Sequence, residues 1–275
     1  MRTKDMKKLK VGIIGCGTIG NEIALSCVGL LKDKVELKAL YDIDKKKTEK
    51  LSRLVKRDIT VDSMDTLFDK ADLIVESASA CISREVVEKA IEKSKDVMVM
   101  SVGGLIESEG LLEEAGKKNI RVYFPSGAVC GIDGLKGARL SKIESVTLTT
   151  RKPPGGLEGA PYLKEKNIDR HSIKSEKVLF SGNPLEAVKG FPKNINVASV
   201  LSLAGIGAEK TKVRIVTSPE YTKNIHEIEI TGDFGKLMTR TENVPSRKNP
   251  KTSALAILSA IATLKGIVES VKIGT

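Results

Sequence analysis

Aromatic side chains are almost missing from this chain of 275 residues. It contains no Trp, and aromatic residues make up 3% of the sequence. Proteins that bind single-stranded nucleic acid stack its bases on aromatic side chains. The composition therefore argues against a protein whose main task is to stack bases or sugars.

Long apolar runs and closely spaced cysteines are missing as well. A membrane-spanning helix needs about 18 or more apolar residues in a row, and no such run occurs. The charged start, MRTKDMKKLK, does not resemble a signal peptide. Cys16, Cys27, Cys81 and Cys130 lack the short spacings of zinc and redox motifs. We therefore expect a cytoplasmic protein with free thiols, no bound metal and no membrane partner.

Acidic residues are too few to balance the basic ones. The 46 Lys and Arg residues exceed the 35 Asp and Glu residues, which gives a formal net charge of +11. Many basic residues fall in segment 45–57, where their helical spacing fits a solvent-facing helix. The excess would alternatively attract an anionic ligand, either a dinucleotide or a dicarboxylate. No nucleic-acid motif accompanies the charge, so we expect no nucleic acid partner.

A glycine-rich turn stands near the start of the chain. Residues 9–15, LKVGIIG, predict a strand that is buried on both faces. The turn GCGTIG leads from this strand into a segment with helical apolar spacing. Such glycines permit a tight turn, a close approach of pyrophosphate to the backbone, and close packing of helix on strand. The helix N-terminus then faces the phosphates, and the predicted cofactor contacts are Gly15, Gly17, Thr18, Ile19 and Gly20.

Asp42 follows the second predicted strand, residues 35–41, and lies 22 residues after Gly20. This separation is close to the roughly 20 residues expected for an acidic residue that binds the adenosine ribose. A carboxylate accepts both ribose hydroxyls and repels a 2′-phosphate, which favours NAD over NADP. The three lysines at 45–47 would neutralise a 2′-phosphate, so NADP stays open. The alternative is an Asx turn that starts the loop.

Strands and helices keep alternating through the first half of the chain. Apolar runs at 73–77, 97–101 and 122–124 predict strands, with helical segments at 83–94 and 112–118 between them. This order predicts a doubly wound parallel sheet of the Rossmann type, an α/β fold. Ligands bind beyond the carboxyl ends of such strands. The residues expected along that cofactor edge are Ala78, Ser79, Ser101 and Ala128.

The pattern changes after about residue 128. Strand-like segments follow one another without regular helices between them, which predicts a second, α+β domain with a mainly antiparallel sheet. These segments are 143–151, 177–181, 212–217, 226–231 and 236–243.

The end of the chain predicts one long helix. Asn249 and Pro250 have the pattern of a helix cap and first-turn proline, and segment 252–271 is nearly all apolar. We expect this helix to be buried and to pack back onto the first domain. The predicted domains are therefore a dinucleotide-binding domain of residues 1–128 and 250–275, and a substrate and catalytic domain of residues 129–249.

Histidine is scarce, and the chain offers only two. His171 lies in a polar segment that predicts a surface position. His226 begins a predicted strand, where either a structural or a catalytic role fits. A general base must titrate near neutral pH, and histidine does so without perturbation.

Several long blocks of sequence resemble the L-aspartate dehydrogenase family, and the likeness covers nearly the whole chain. The blocks are SGAVCGIDGL at 126–135, TTRKPPGGLEGAPY at 149–162, FPKNINVASVLSLAG at 191–205, NIHEIEITGDFG at 224–235 and ENVPSRKNPKTSALA at 242–256. The resemblance implies an enzyme that passes a hydride from C2 of L-aspartate to NAD or NADP. The product would be iminoaspartate, which feeds NAD biosynthesis or hydrolyses to oxaloacetate and ammonia.

The resemblance also implies roles for individual residues. His226 matches the catalytic histidine of the family, and Ala128 and Asn196 match cofactor contacts near the nicotinamide. Asn196 would alternatively cap a helix. The chain departs from the family pattern at 79–82, SACI, where a glutamine-containing turn is usual.

A substrate with two carboxylates needs cations in its site. Arg151 and Lys152 stand at a predicted strand end before a loop rich in Pro and Gly, and we predict that they bind the substrate carboxylates. The alternative is an ordinary surface pair. By analogy of fold, we also expect a homodimer.

Other functions stay open at this point. One is another two-domain Rossmann dehydrogenase, acting on homoserine or on a semialdehyde derived from aspartate. The other is a sensor that binds NAD without catalysis.

Overall fold

The computed structural model describes residues 7–192, 195–246 and 249–274 of the chain. Two separate sets of residues each form a compact unit. The first unit takes the residues up to Pro125 together with Ile257–Lys272, and the second takes Ser126–Ala256 with the residues from Ile273 onward. The domain boundaries expected from the sequence, after residue 128 and before residue 250, stay predictions for independently folding domains.

The first unit is built on a parallel sheet. Its elements are β1 (Leu9–Ile14), α1 (Thr18–Val28), β2 (Val35–Tyr41), α2 (Lys45–Val55), α3 (Met64–Lys70), β3 (Leu73–Glu76), α4 (Ala80–Glu92), β4 (Asp96–Val99), α5 (Glu109–Lys117) and β5 (Val122–Tyr123). In the described part of this unit, the strands lie in the order β2-β1-β3-β4-β5 and all pair in parallel. The doubly wound parallel sheet predicted from the sequence is confirmed.

The second unit carries a mixed sheet. Its elements are α6 (Ile132–Ala138), β6 (Ile143–Lys152), α7 (Pro161–Glu165), β7 (Lys177–Gly182), α8 (Pro184–Gly190), α9 (Ile195–Ala204), β8 (Lys212–Thr217), β9 (Asn224–Gly232) and β10 (Gly235–Asn243). The strand order is β10-β9-β6-β8-β7. β6 and β8 run parallel, and the other neighbours run antiparallel. The expected α+β unit with a mainly antiparallel sheet is therefore confirmed.

The predicted helix start at Asn249 and Pro250 is wrong. Asn249–Ser253 forms a strand, β12, that pairs with β11 (Pro245–Ser246). The last helix, α10, begins only at Ala254 and ends at Val268. Strand pairing overrides the local capping signal here, because Pro is also compatible with the first residues of a strand.

Helix α10 is apolar nearly all round but is buried on one side only. Its residues Ala260 and Leu264 are fully buried in a core that also holds Val11 and Ile13 of β1. Leu258 is 60% exposed. The expectation of a wholly buried helix is wrong, because α10 covers a sheet face from outside and presents one stripe to it. No described helix, α10 included, is long and apolar enough to cross a membrane.

Alternation along β6 sorts its side chains between two environments. Leu148 and Thr150 of β6 line a narrow cavity together with Phe191 and with Ile195 of α9. Residues two apart on a strand share a face. The even-numbered residues of β6 therefore face the side that α8 and α9 cover, and Arg151 faces the opposite side.

Candidate functional site

The three glycines of the first turn stand in different surroundings. Gly15 has φ +92°, and a Cβ atom there would lie 2.6 Å from the backbone N of Ala78. A Cβ on Gly20 would collide with the carbonyl oxygen of Gly15. A Cβ on Gly17 would meet no described atom within 4 Å. Gly15 and Gly20 are thus required by the fold, whereas Gly17 leaves open space in front of the turn.

That open space lies at the N-terminus of α1. The helix begins at Thr18, and no described side chain caps its first turn. The backbone N–H groups of a first helical turn point outward along the axis and carry the positive end of the helix dipole. Thr18 and Ile19 therefore stand where a phosphate group is bound most favourably.

Asp42 is held against the glycine turn. Its Oδ2 accepts a hydrogen bond from the backbone N–H of Cys16 at 2.8 Å, and its Oδ1 accepts one from Asp44 at 2.9 Å. The ammonium of Lys47 lies 3.8 Å from Oδ1. Burial raises the pKa of the Cys16 thiol to about 12, so this thiol stays protonated beside the carboxylate. The structure thus brings together the carboxylate and the turn that the sequence assigned to the same ligand.

Glu76, which was not predicted as a site residue, is hydrogen-bonded to three of the cofactor candidates. It ends β3 and is fully buried. Its carboxylate accepts hydrogen bonds from the backbone of Ala78, Ser79 and Ser101 and from the Ser101 hydroxyl. The sequence did contain a hint of this role. Glu76 is the one charged residue of the apolar strand LIVE, and it stands directly before the predicted ligand residues.

His226 lies in the second unit on β9, opposite Thr150 of β6. The ring is buried, and Nδ1 lies 3.0 Å from Oγ1 of Thr150. On the other side, Thr241 of β10 pairs with His226 and donates from its hydroxyl to the carbonyl oxygen of Ala128 at 3.0 Å. Asn243 also donates to that carbonyl at 3.0 Å. The structure therefore brings Ala128 to the strand next to His226.

Lys152 shares the covered face of the sheet with Thr150. Burial lowers the pKa of Lys152 to about 8. Burial also lowers the pKa of His226 to about 3, and the positive charge of Lys152 adds to this effect. The expectation that His226 titrates near neutral pH is wrong for the free protein, because its ring is desolvated and a cation lies nearby.

Arg151 does not join this group. Its guanidinium donates to Glu227 and to Glu176, each at 3.0 Å, and to the hydroxyl of Tyr221 at 3.0 Å. It faces away from Lys152, because neighbouring residues of a strand point to opposite sides. The two cations that the sequence suggested as a pair are thus separated by the sheet.

The remaining candidates lie near the surface. Asn196 is exposed on the first described turn of α9, next to the buried Ile195. Its role as a cofactor contact stays a prediction. His171 is exposed in a short 3₁₀ turn, Arg170–Ser172.

Known proteins match both units. Residues 133–267 match the family described as aspartate dehydrogenase, C-terminal, and residues 15–125 match the family described as homoserine dehydrogenase, NAD binding domain. The L-aspartate dehydrogenase of Methanosarcina barkeri is 49% identical over 273 residues, which cover 97% of this chain and all of the relative. The chain belongs to the aspartate dehydrogenase family. The L-aspartate dehydrogenase of one Methanococcus maripaludis strain is 43% identical over 97% of this chain and 100% of its own.

Solved structures agree with this assignment. Aspartate dehydrogenase from Thermotoga maritima superimposes with a TM-score of 0.74 at 27% identity, covering 98% of this chain and all of the other. A homoserine dehydrogenase from Thiobacillus denitrificans has a TM-score of 0.63 at 14% identity, covering 96% and 74%, and shows a shared fold. The resemblance seen in the sequence is confirmed, and the homoserine-type alternative is not favoured.

The glycine turn generates a direct test. Gly17→Val should leave the thermal unfolding midpoint nearly unchanged, because a Cβ atom at this position meets no described atom within 4 Å. It should raise the Kd for NAD at least tenfold, because the side chain fills the space in front of the α1 N-terminus. Calorimetric titration and thermal unfolding measure the two effects.

Gly15→Ala is the control. Although it adds only a methyl group, it should lower the free energy of unfolding by about 1–3 kcal/mol, since φ is +92° and backbone atoms lie in the way. A Gly17→Val protein that binds NAD as well as the wild type would remove this turn from the dinucleotide site.

Proposed function

We propose that this chain oxidises L-aspartate with NAD or NADP to iminoaspartate, which supplies NAD biosynthesis or hydrolyses to oxaloacetate and ammonia. The observation that carries the proposal is the buried, neutral His226 held by Thr150 on the sheet face that also carries Lys152, in a member of the aspartate dehydrogenase family. We further propose that the protein acts as a cytoplasmic homodimer. The exposed Leu258 on α10 is consistent with an interface between copies.

The first unit fits a dinucleotide. Open space in front of Gly17 admits a pyrophosphate, and the amides of Thr18 and Ile19 would hold it. Asp42 would accept hydrogen bonds from the adenosine ribose hydroxyls. The positive charge of Lys47 beside it would offset the repulsion between Asp42 and a 2′-phosphate. When bound, NAD⁺ or NADP⁺ accepts the hydride from C2 of aspartate.

Lys152 is the better placed of the two predicted substrate cations. It lies on the face of His226, in surroundings that disfavour its charge, so a carboxylate would gain strongly from pairing with it. Arg151 already pairs with Glu227 and Glu176 on the opposite face. We therefore assign a substrate carboxylate to Lys152 and a structural role to Arg151.

His226 would act as the general base for the substrate amine. C2 loses its hydride only when the substrate amine is deprotonated and its lone pair forms the imine. In the proposed tautomer Nδ1–H donates to Oγ1 of Thr150, which leaves the lone pair of Nε2 to take the amine proton or to activate the water that attacks the imine. A carboxylate paired with Lys152 cancels one of the two causes that lower the pKa of His226. Substrate binding would therefore make His226 a stronger base.

The proposed activity is tested by a screen of single amino acids. The purified chain is mixed with NAD⁺ or NADP⁺, and formation of the reduced nucleotide is followed by absorbance. We expect L-aspartate to give the highest rate and L-homoserine to give none above background. Binding of NADH without turnover of any amino acid would instead indicate the sensor.

Lys152→Ala should raise the KM for aspartate roughly ten- to a hundredfold, the loss of one charge-assisted hydrogen bond of about 1.5–3 kcal/mol. The KM for NAD⁺ should change little. Because the pKa of Lys152 is lowered to about 8, the ammonium is lost as the pH rises through this value. In the wild type, kcat/KM for aspartate should therefore fall above about pH 8, and Lys152→Arg should move this fall upward.

Arg151→Ala is the control for a neighbouring cation on the other face. Its KM for aspartate should stay within about threefold of the wild type, since exposed ion pairs contribute little. If Arg151→Ala raises this KM and Lys152→Ala does not, the assignment of the two cations is reversed.

His226→Ala should lower kcat by a factor of about 10²–10⁴, the usual effect of losing a general base. NADH affinity should stay close to that of the wild type, which fluorescence titration measures. His171→Ala provides the matched control, because that histidine is exposed. Near-normal turnover in His226→Ala would leave the ring with a structural role in the sheet.

A further inference from the structure

Glu76 is a buried carboxylate to which the proposed mechanism assigns no task. It closes the apolar strand β3 and has no exposed surface. Burial of a carboxylate is unfavourable unless donors replace the lost water. Burial accordingly raises the pKa of Glu76, while hydrogen bonds to its oxygens act in the opposite direction. A carboxylate this costly to bury is expected to hold other groups in place.

Hydrogen-bond donors from two loops converge on this carboxylate. Oε1 accepts from the backbone N–H of Ala78 at 2.8 Å, from that of Ser79 at 3.1 Å and from the hydroxyl of Ser101 at 2.9 Å. Oε2 accepts from the backbone N–H of Ser101 at 2.9 Å. Ala78 and Ser79 follow β3, and Ser101 follows the neighbouring strand β4. One side chain therefore fixes both loops at the carboxyl edge of the sheet, where doubly wound folds bind their ligands.

The loop after β3 also supports the glycine turn. The hydroxyl of Ser77 donates to the carbonyl oxygen of Gly15 at 2.8 Å, and its backbone N–H donates to Ile14 at 2.8 Å. The backbone N of Ala78, which donates to Glu76, is one of the atoms that a Cβ on Gly15 would strike. A shift of this loop would therefore reach the turn that faces the pyrophosphate.

We propose that Glu76 is a positioning residue for the dinucleotide: it holds the loops after β3 and β4 in the conformation that NAD or NADP binds. The inference rests on the proposed function, since it concerns the nucleotide of that reaction. Only a carboxylate suits the place, because every hydrogen-bonded contact there is a donor. In Glu76→Gln, one oxygen is replaced by an NH₂ group that would face an N–H donor.

The test compares Glu76→Gln with Asp96→Asn. Asp96 begins β4, and its carboxylate accepts from the backbone N–H of Arg121 at 2.9 Å, so the control makes the same chemical change at the amino end of the same sheet. We expect Glu76→Gln to raise the Kd for NADH and the KM for NAD⁺ at least tenfold. The KM for aspartate and kcat at saturating NAD⁺ should stay within about threefold. Asp96→Asn should leave all of these values within about twofold.

Hydrogen exchange supplies a readout that does not depend on activity. In the wild type, the amides of Ala78, Ser79 and Ser101 should exchange slowly, and in Glu76→Gln they should exchange at least tenfold faster while the amides of β1 keep their protection. Glu76→Asp is a second variant, for use if the amide variant does not fold. It keeps the charge but is too short to reach both loops, so it should weaken NADH binding in the same way.

Results that would overturn the role of Glu76 differ from the result that would overturn the proposed function. Unchanged NADH affinity in a folded Glu76→Gln or Glu76→Asp protein overturns the inference, as does fast exchange of the three amides in the wild type. An equal loss of NADH affinity, aspartate affinity and kcat would show a general structural role and also overturns it. If the wild type binds neither NADH nor NADPH, the proposed function itself fails.

Discussion

At the carboxyl edge of the first sheet, two carboxylates at strand ends accept hydrogen bonds from the backbone amides of the loops. Asp42 directly follows β2, and its carboxylate accepts from Asp44 in its own loop and from Cys16 in the glycine turn after β1. Glu76 ends β3 and ties its own loop to the one after β4. Amides beyond the last ladder pair have lost their strand partner and must find another acceptor. Each acid supplies that acceptor to two neighbouring loops and so links the two loops to each other.

The sequence predicted one of these acids and not the other, for a physical reason. Asp42 stands at the spacing expected of a ribose-binding acid, because in this fold the ribose lies a fixed distance from the glycine turn. The donors to Glu76 include Ser101, which comes 25 residues later and meets it only once β3 and β4 pair. The parallel sheet itself was predictable, since its strands are apolar runs between amphipathic helices. Contacts between loops of neighbouring strands depend on the strand order, which no local pattern contains.

In the second unit, too, the strands were predictable from local sequence, whereas the contacts between strands were not. Each of its strands was predictable from alternation, but the pairing of Thr150 with His226 depends on the register of β6 against β9. Alternation alone would have separated Arg151 from Lys152, because they are consecutive residues of one strand. Burial of His226 depends on what covers that face, so its pKa was beyond sequence reasoning. The strand at Asn249–Ser253 replaced a predicted helix start because its partner, β11, decides its conformation.

The two faces of the second sheet place charged side chains in different environments. On one face, Arg151 and Arg240 share Glu227 in a network that solvent reaches and screens, so the network contributes little to stability. On the other face, Lys152 and His226 are desolvated, and both pKa values fall. A charge that water stabilises poorly gains more from an incoming carboxylate than a well-solvated charge does. Burial therefore distinguishes the two cations that stand side by side in the sequence, and our proposal assigns the substrate carboxylate to Lys152, the more desolvated of the two.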